Sequence, residues 1–254
     1  MKFISLYSGS KGNASLIVNN SGEALLLDCG VSFSKIKKAV QAAGVSPDDI
    51  KGILITHEHS DHVCGLSVLL SHWDKPVYCN RRTALALPYV TQNVEIFENG
   101  EFAVGGFTVH RFSTYHDAAG PCGYCIFADG KKISALTDCG LVDASVLSQI
   151  GGCDMAYIES NYDETMLSCG PYPSSLKCRI RSSKGHLSNT DCALAVQQLV
   201  LLGCKKVLLG HISENNNTHM LAAATTMDAL RKLGQKVVVE VADESDRITV
   251  VEVE

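Results

Sequence analysis

The chain has 254 residues and a formal net charge of −5, from 22 basic and 27 acidic side chains. Hydrophobic residues make up 46% and charged residues 19%, which excludes a disordered or low-complexity chain. No apolar run reaches the ~18 residues of a membrane span. The first apolar run breaks at Ser8-Gly9-Ser10, so we predict no secretory signal. Eleven cysteines cannot all pair, and we expect reduced thiols in a cytoplasmic protein.

The predicted elements are short apolar strands separated by glycine turns, with helices between some of them. In chain order we predict strands at Phe3–Tyr7, Ser15–Asn19 and Ala24–Asp28, a helix at Phe33–Ala43, a strand at Ile53–Thr56, a helix at Val63–Ser71, strands at Val77–Cys79, Phe107–Phe112, Tyr124–Ala128, Lys132–Leu136 and Met155–Glu159, a helix at Thr190–Leu202, a strand at Val207–Leu209, a helix at Met220–Leu233, and strands at Lys236–Val241 and Ile248–Val253. This mixture favours an α/β (α+β) fold of two face-to-face sheets covered outside by helices. No linker interrupts it, which predicts one domain over residues 1–254.

The strongest chemical signal is the segment His57-Glu58-His59-Ser60-Asp61-His62 at the end of a buried strand. In an extended chain, His57 and His59 point the same way and can bind one ion together. Asp61 and His62 follow where the chain turns into a helix, and we expect them at a second position beside the first. Imidazole and carboxylate ligands are typical of zinc, manganese or iron.

Four more residues of ligand type stand at or beyond the ends of predicted strands. They are Asp28, His116, Asp138 and His211. Any one of them alone could be an ordinary turn or cap residue. Four in series, each of a type that binds metals, favour a shared site.

The HxHxDH motif and this ordered series resemble the metallo-β-lactamase superfamily. The resemblance implies a four-layer αββα sandwich with two divalent transition-metal ions at one edge. In this carry-over one metal is held by His57, His59 and His116, and the other by Asp61, His62 and His211. Asp138 would bridge the two metals, and Asp28 would orient ligand side chains. Two such metals suit attack at phosphorus by a metal-activated hydroxide, which Asp61 would also orient.

The segment Lys184-Gly185-His186-Leu187-Ser188-Asn189 resembles the phosphodiesterase branch of that superfamily, especially ribonuclease Z. The resemblance implies that His186 pairs with an upstream glutamate, here Glu159, and protonates the leaving oxygen. The alternative is that His186 only makes a hydrogen bond at the entry of the helix capped by Ser188.

Further residues are candidates for substrate binding. The basic cluster after Leu176 would attract a polyanion, and the glycine-rich turn Gly9–Asn13 could offer backbone N–H groups to a phosphate, although hairpin turns look the same. The candidates are Ser10, Asn13, Lys177, Arg179, Arg181, Lys184 and Ser213.

Over nearly the whole chain, the motifs THEHSDHVCG (56–65), TDCG (137–140) and GHISENNN (210–217) are similar to the YycJ/WalJ-type group of bacterial exonucleases. The resemblance implies a cytoplasmic enzyme that degrades double-stranded DNA in the 5′-to-3′ direction, with a link to DNA mismatch repair. The alternatives are a small-molecule (cyclic) phosphodiesterase or other metallo-hydrolase of the same fold, an RNA-processing nuclease, and a non-catalytic module. The residues leave the oligomeric state and the role of Cys122 and Cys125 open.

Overall fold

The computed structural model of the chain describes residues 1–87, 93–98, 100–243 and 247–254. Its described strands, numbered in chain order, form two seven-stranded sheets. The first sheet has the order β14-β1-β2-β3-β4-β5-β6, with β1 Lys2–Tyr7, β2 Ala14–Val18, β3 Ala24–Leu27, β4 Ile50–Leu54, β5 Val77–Cys79, β6 Val94–Ile96 and β14 Thr249–Glu252. The second has the order β13-β12-β11-β10-β9-β8-β7, with β7 Glu101–Val104, β8 Phe107–Ser113, β9 Cys122–Ala128, β10 Lys131–Leu136, β11 Met155–Glu159, β12 Lys206–Gly210 and β13 Val238–Val241.

Each sheet contains a parallel part that places several strand ends at one edge. In the first sheet β3, β4 and β5 run parallel. In the second sheet β10, β11 and β12 run parallel. Because the carboxyl ends of parallel strands meet at the same edge, residues that follow these strands are brought together.

Both faces of each sheet are buried, which explains the near-continuous apolar strands. In β3, Leu25 and Leu27 face the core between the two sheets, while Leu26 faces a second core with Ile36 and Val40 of a covering helix. A third core lies between the second sheet and its helices. The described helices are α1 Phe33–Ala42, α2 Ser60–Val63, α3 Leu66–His72, α4 Arg81–Ala86, α5 Ala144–Ile150, α6 Glu164–Cys169, α7 Ser174–Arg181, α8 Asn189–Leu201 and α9 His219–Arg231. The predicted αββα sandwich is confirmed.

The prediction of one helix at Val63–Ser71 is wrong. The segment forms α2 and α3, separated at Cys64 and Gly65. A Cβ on Gly65 would lie 1.9 Å from the carbonyl oxygen of Val31, so the chain turns where two backbones touch. The sequence prediction also missed the short elements α4 to α7, β6 and β7.

All eleven cysteines are free thiols. Cys122 and Cys125 lie on β9 and point to different partners, since the Cys122 thiol approaches the carbonyl of Thr56 at 3.2 Å and the Cys125 thiol that of Gln149 at 3.3 Å. This geometry is that of packed core thiols. In the described part of the chain no helix has both the length and the apolar character to cross a membrane.

Candidate active site

The candidate site begins where strands of both sheets end in a left-handed backbone turn. Asp28 follows β3 with φ 60°, Asp138 follows β10 with φ 53° and His211 follows β12 with φ 52°. Side chains other than glycine rarely adopt this conformation, and strain of this kind concentrates at functional sites. Three of the four ligand-type residues predicted beyond strand ends therefore share one unusual backbone geometry.

The first set of candidate ligands is His57, His59 and His116. Each offers one ring nitrogen, and these atoms all lie within 4.8 Å of one another. The Nδ1–H of His116 donates to the carbonyl oxygen of Gly185 at 2.9 Å, which leaves its Nε2 for the cluster. His57 Nε2 is buried without a hydrogen-bond partner among the described residues.

The second set is Asp61, His62 and His211, which satisfies the same 4.8 Å condition. The Nδ1–H of His62 donates to Asp28 Oδ2 at 2.8 Å. That of His211 donates to Glu159 Oε2 at 3.1 Å. A carboxylate behind each imidazole fixes the ring and directs the lone pair of Nε2 forward, as in known metal sites.

Asp138 lies between the two sets. Its Oδ2 is 2.9 Å from His62 Nε2 and 3.7 Å from His211 Nε2. Its Oδ1 is 3.5 Å from His116 Nε2. One carboxylate thus faces both sets of imidazoles, with one oxygen toward each.

Charge within the cluster shifts the protonation of its members. Burial alone would lower the pKa of His62, but Asp138 and Asp28 raise it well above its ordinary value. His211 is also buried, yet neighbouring carboxylates, Asp138 first, raise its pKa to about 10. Burial would raise the pKa of Asp138, but the two histidines hold it well below its usual range. In the metal-free protein these imidazoles are therefore protonated at neutral pH, and a metal ion must displace their protons.

The residues present fit divalent transition-metal ions. The donor atoms are imidazole nitrogens and carboxylate oxygens, which suit zinc, manganese or iron. His57 Nε2 and His211 Nε2 are both buried and lack a hydrogen-bond partner in the described structure. Buried polar atoms without partners are rare in proteins, and a metal ion would satisfy both.

The predicted contact between Glu159 and His186 is present. Glu159 is fully buried, and its Oε2 lies 3.1 Å from Nδ1 of His186 as well as from Nδ1 of His211. Its Oε1 accepts from the backbone N–H groups of Cys139 at 2.7 Å and Leu187 at 3.2 Å. The alternative that His186 only supports the start of α8 does not describe these contacts, since Ser188 alone caps that helix.

A cleft of about 230 Å³ opens over the cluster. It is lined by Ser10, His59, Asp61, His116, Asp138, Asn161, Tyr172, Leu176, Arg179, Ile180, His186, His211 and Ser213. Three of the candidate substrate-binding residues, Ser10, Arg179 and Ser213, thus border the cleft.

The other four candidate substrate-binding residues lie elsewhere. Lys177 donates to the carbonyl of Ser168 at 2.8 Å, and Arg181 pairs with Glu164 at 3.0 Å. Asn13 is buried and accepts the backbone N–H of Gly9. Lys184 lines a neighbouring cleft.

Sequence reasoning missed three residues that organise the site. The Thr56 hydroxyl donates to Asp28 and lies 3.0 Å from His57 Nδ1. Asp117 receives both Nε and Nη2 of Arg179, at 2.5 and 2.9 Å. Gly185 anchors His116 through its carbonyl. Thr56 and Asp117 are each adjacent in sequence to a predicted ligand, and that adjacency was the available signal.

Two curated relatives match most of the chain. Exodeoxyribonuclease YycJ of Bacillus anthracis is 36% identical over 240 residues, covering 92% of this chain and 90% of the relative. Exodeoxyribonuclease WalJ of Streptococcus pneumoniae (strain D39) is 37% identical over 237 residues, covering 90% and 88%. Among solved structures, the metallo-beta-lactamase fold protein YhfI of Bacillus subtilis superimposes with a TM-score of 0.74 at 15% identity, covering 99% of this chain and 100% of that one.

A family match places the cluster within a known class. Residues 23–212 match the family described as "Beta-lactamase superfamily domain", and the match includes every residue of the two candidate ligand sets. The sandwich fold and the histidine and aspartate cluster at its edge agree with that match. The chain belongs to the metallo-β-lactamase superfamily and is a hydrolase of that class.

Proposed function

We propose that this hydrolase is a metal-dependent exonuclease that degrades double-stranded DNA in the 5′-to-3′ direction, with two divalent ions at its site. The observation that carries the proposal is the arrangement of the two ligand sets around Asp138, with the Glu159–His186 pair beside them. A pair of metals with an adjacent proton donor is suited to phosphodiester hydrolysis. The two exodeoxyribonuclease relatives support DNA as the substrate.

Each ligand set would hold one ion, and Asp138 would contact both. When bound, such ions lower the pKa of a water molecule and neutralise charge on phosphate oxygens. Asp61 borders the cleft with a side chain that is 25% exposed. Its free oxygen would accept a hydrogen bond from the attacking water and so orient it.

His186 would hold the proton for the leaving oxygen. Its Nδ1–H donates to Glu159 at 3.1 Å, so Nε2 remains for the cleft that the ring borders. The ring is 15% exposed, which lets it reach substrate. Protonation of an alkoxide as it leaves contributes ~10²–10⁴-fold to rate when the donor is positioned.

Arg179 would bind the phosphate at the mouth of the cleft. Two of its five N–H groups are held by Asp117, and the opposite edge of the guanidinium retains a pair of donors that matches two phosphate oxygens. Ser10 and Ser213 border the same cleft and would add hydroxyl donors. Zinc, manganese or iron fit the donor set equally.

A cytoplasmic location and a role in DNA repair complete the proposal. The location is supported by eleven free cysteines, eight of them buried, since oxidising compartments favour disulfides. The role in repair is supported only by the resemblance to the exonuclease group.

The test uses purified protein loaded with zinc or manganese, with the metal content measured per chain. Single- and double-stranded DNA and RNA, labelled at either end, are then digested and the product ladders compared. We expect about two ions per chain, and shortening of duplex DNA from its 5′ end. One ion or none would overturn the two-metal proposal. Digestion of RNA alone, or hydrolysis of small cyclic phosphates without any DNA cleavage, would overturn the proposed substrate.

A further inference from the structure

A second cleft lies beside the active-site cleft, and His116 borders both. This basic cleft has a volume of about 390 Å³ and is lined by Asn80, Arg82, Glu98, Arg111, Ser113, Thr114, Tyr115, His116, Ala118, Ala119, Gly120, Pro121 and Lys184. Three of its side chains are cationic and one is acidic, whereas the chain as a whole has a net charge of −5. The charge around this cleft therefore has the opposite sign to that of the protein.

We propose that the basic cleft binds a second nucleotide of the same strand, next to the one whose phosphodiester is cut. The inference rests on the proposed nuclease function and extends it, because it makes the substrate a polynucleotide. A small phosphodiester would occupy only the active-site cleft. A strand of nucleic acid would cross His116 and place its next phosphate among the basic side chains.

The wall of the basic cleft is held by buried hydrogen bonds. The carbonyl oxygen of Gly120 accepts from Asn80 Nδ2 at 2.5 Å and from Thr83 Oγ1 at 3.0 Å, and both donor residues are buried. Arg111 Nη2 donates to the backbone carbonyl of Glu98. A cleft with a fixed wall can position a phosphate, whereas isolated surface cations only attract one.

The cleft also presents an aromatic ring. Tyr115 is 38% exposed, and its hydroxyl donates to Asp143 at 2.7 Å, which restrains the ring. Exposed aromatic rings beside basic side chains are the usual means of binding single-stranded nucleic acid, since every base has a face that can stack. Cationic groups together with a stacking surface favour a nucleotide over inorganic phosphate.

The basic cleft is linked in sequence to the residues that would perform the reaction. Lys184 precedes Gly185, whose carbonyl anchors His116, and Gly185 precedes His186. A phosphate bound by Lys184 therefore lies on the segment that positions a candidate ligand and the candidate proton donor. Occupation of this cleft would help to set the register of the strand.

The test compares two double variants in the metal-loaded protein. Arg82→Ala/Lys184→Ala removes two exposed cations of the basic cleft, and Arg231→Ala/Lys232→Ala removes two exposed cations at the end of α9. Each is assayed on an end-labelled DNA oligonucleotide and on bis(p-nitrophenyl) phosphate. We expect the first variant to lose about tenfold or more in kcat/KM on DNA, with a salt slope smaller by ~0.7 per phosphate contact. Its activity on the small diester should stay within about twofold of wild type, as should both activities of the control.

Three results would overturn the inference. They are unchanged DNA cleavage in Arg82→Ala/Lys184→Ala, an equal loss on DNA and on the small diester, and an equal loss in the control. Tyr115→Ala should weaken DNA cleavage about fivefold while Tyr115→Phe retains it, and equal effects would exclude stacking.

Oligonucleotide binding separates this inference from the proposed function. Fluorescence anisotropy of a labelled strand in EDTA requires neither metal nor turnover. If wild type hydrolyses no phosphodiester, the proposed nuclease function fails, yet weaker binding by Arg82→Ala/Lys184→Ala would still support the basic cleft. Equal binding by wild type and this variant would overturn the cleft whatever the activity.

Discussion

Glu159→Gln is the sharpest single perturbation of the candidate site. The carboxylate of Glu159 accepts four N–H groups, two from backbone and two from the rings of His186 and His211. A glutamine amide accepts on one side and donates on the other. Its NH₂ must therefore face either two backbone donors, which cannot change, or two imidazole rings, which can.

The rings will yield, and this changes the chemistry of the site. If the amide NH₂ faces Nδ1 of both histidines, their protons must move to Nε2. His211 Nε2 then carries a hydrogen where the proposed metal ligand needs a lone pair. His186 loses the acceptor that fixes its ring.

The magnitude follows from the same contacts. A hydrogen bond to an ionised group contributes ~1.5–3 kcal/mol and a neutral one ~0.5–1.5 kcal/mol. Exchanging two of the first kind for two of the second lowers the free energy of unfolding of the metal-free protein by about 2–3 kcal/mol. Loss of the partner behind a metal-binding histidine typically lowers metal affinity by ~10–100-fold.

The assay measures urea unfolding of the metal-free protein, metal affinity by competition with a chelator, and DNA cleavage. The control is Glu164→Gln, the same change at a side chain that is 52% exposed and pairs with Arg181, where we expect no measurable effect on any of the three. If Glu159→Gln binds metal with wild-type affinity and stoichiometry, the argument that Glu159 sets the protonation of His211 is wrong.

Three further predictions concern the same cluster. Asp61→Ala should abolish DNA cleavage but leave the far-UV circular dichroism unchanged, and retained cleavage would contradict its role in orienting water. His186→Ala should slow DNA cleavage by ~10²–10⁴-fold but affect a nitrophenyl diester far less, because nitrophenolate leaves without a proton; equal losses would indicate substrate positioning instead. The pKa of His211 rises from 6.5 to about 10 on folding, so its stabilising effect in metal-free protein is complete below pH 6.5 and is lost as pH rises through 10. Metal-loaded protein should show the opposite trend in Tm between pH 6 and 9, because protons compete with metal, and parallel trends would contradict the displacement of protons.

Much of the fold was predictable because both sheets are buried on both faces. Strands such as β3 are almost wholly apolar, and such runs stand out between glycine turns. The elements that were missed are short or partly exposed. Residues 174–181 form α7 with only Ile180 buried, so its sequence lacks the apolar periodicity that indicates a helix. The break at Gly65 depends on contact with Val31, which lies far away in sequence.

The predicted ligand residues converge because each of them follows a strand. Strand ends are visible in sequence, and residues of ligand type there can be assigned to one edge of a sheet. Contacts that depend on side chains are different. The shared position of Glu159 behind His186 and His211 was only half foreseen, since the sequence suggested the first contact and not the second.

The direction of basic side chains on a helix also lies outside sequence reasoning. Arg179, Lys177 and Arg181 read as one charged cluster, but a helix separates residues that are two positions apart onto different sides. Arg179 faces the cleft and Asp117, while Arg181 faces Glu164. A run of like charge therefore contributed one candidate for phosphate binding, rather than a continuous patch.

Net charge was the least informative quantity for substrate. The total of −5 includes Asp28, Asp61, Asp138 and Glu159, which belong to the cluster and face imidazoles. Two divalent ions would add four positive charges there and bring the total close to neutrality. The field that a strand of DNA meets is then set by the cations beside the site, and these lie in the basic cleft and at Arg179. Binding of a polyanion by an acidic chain is thus consistent with electrostatics, provided that metal and substrate sites are adjacent.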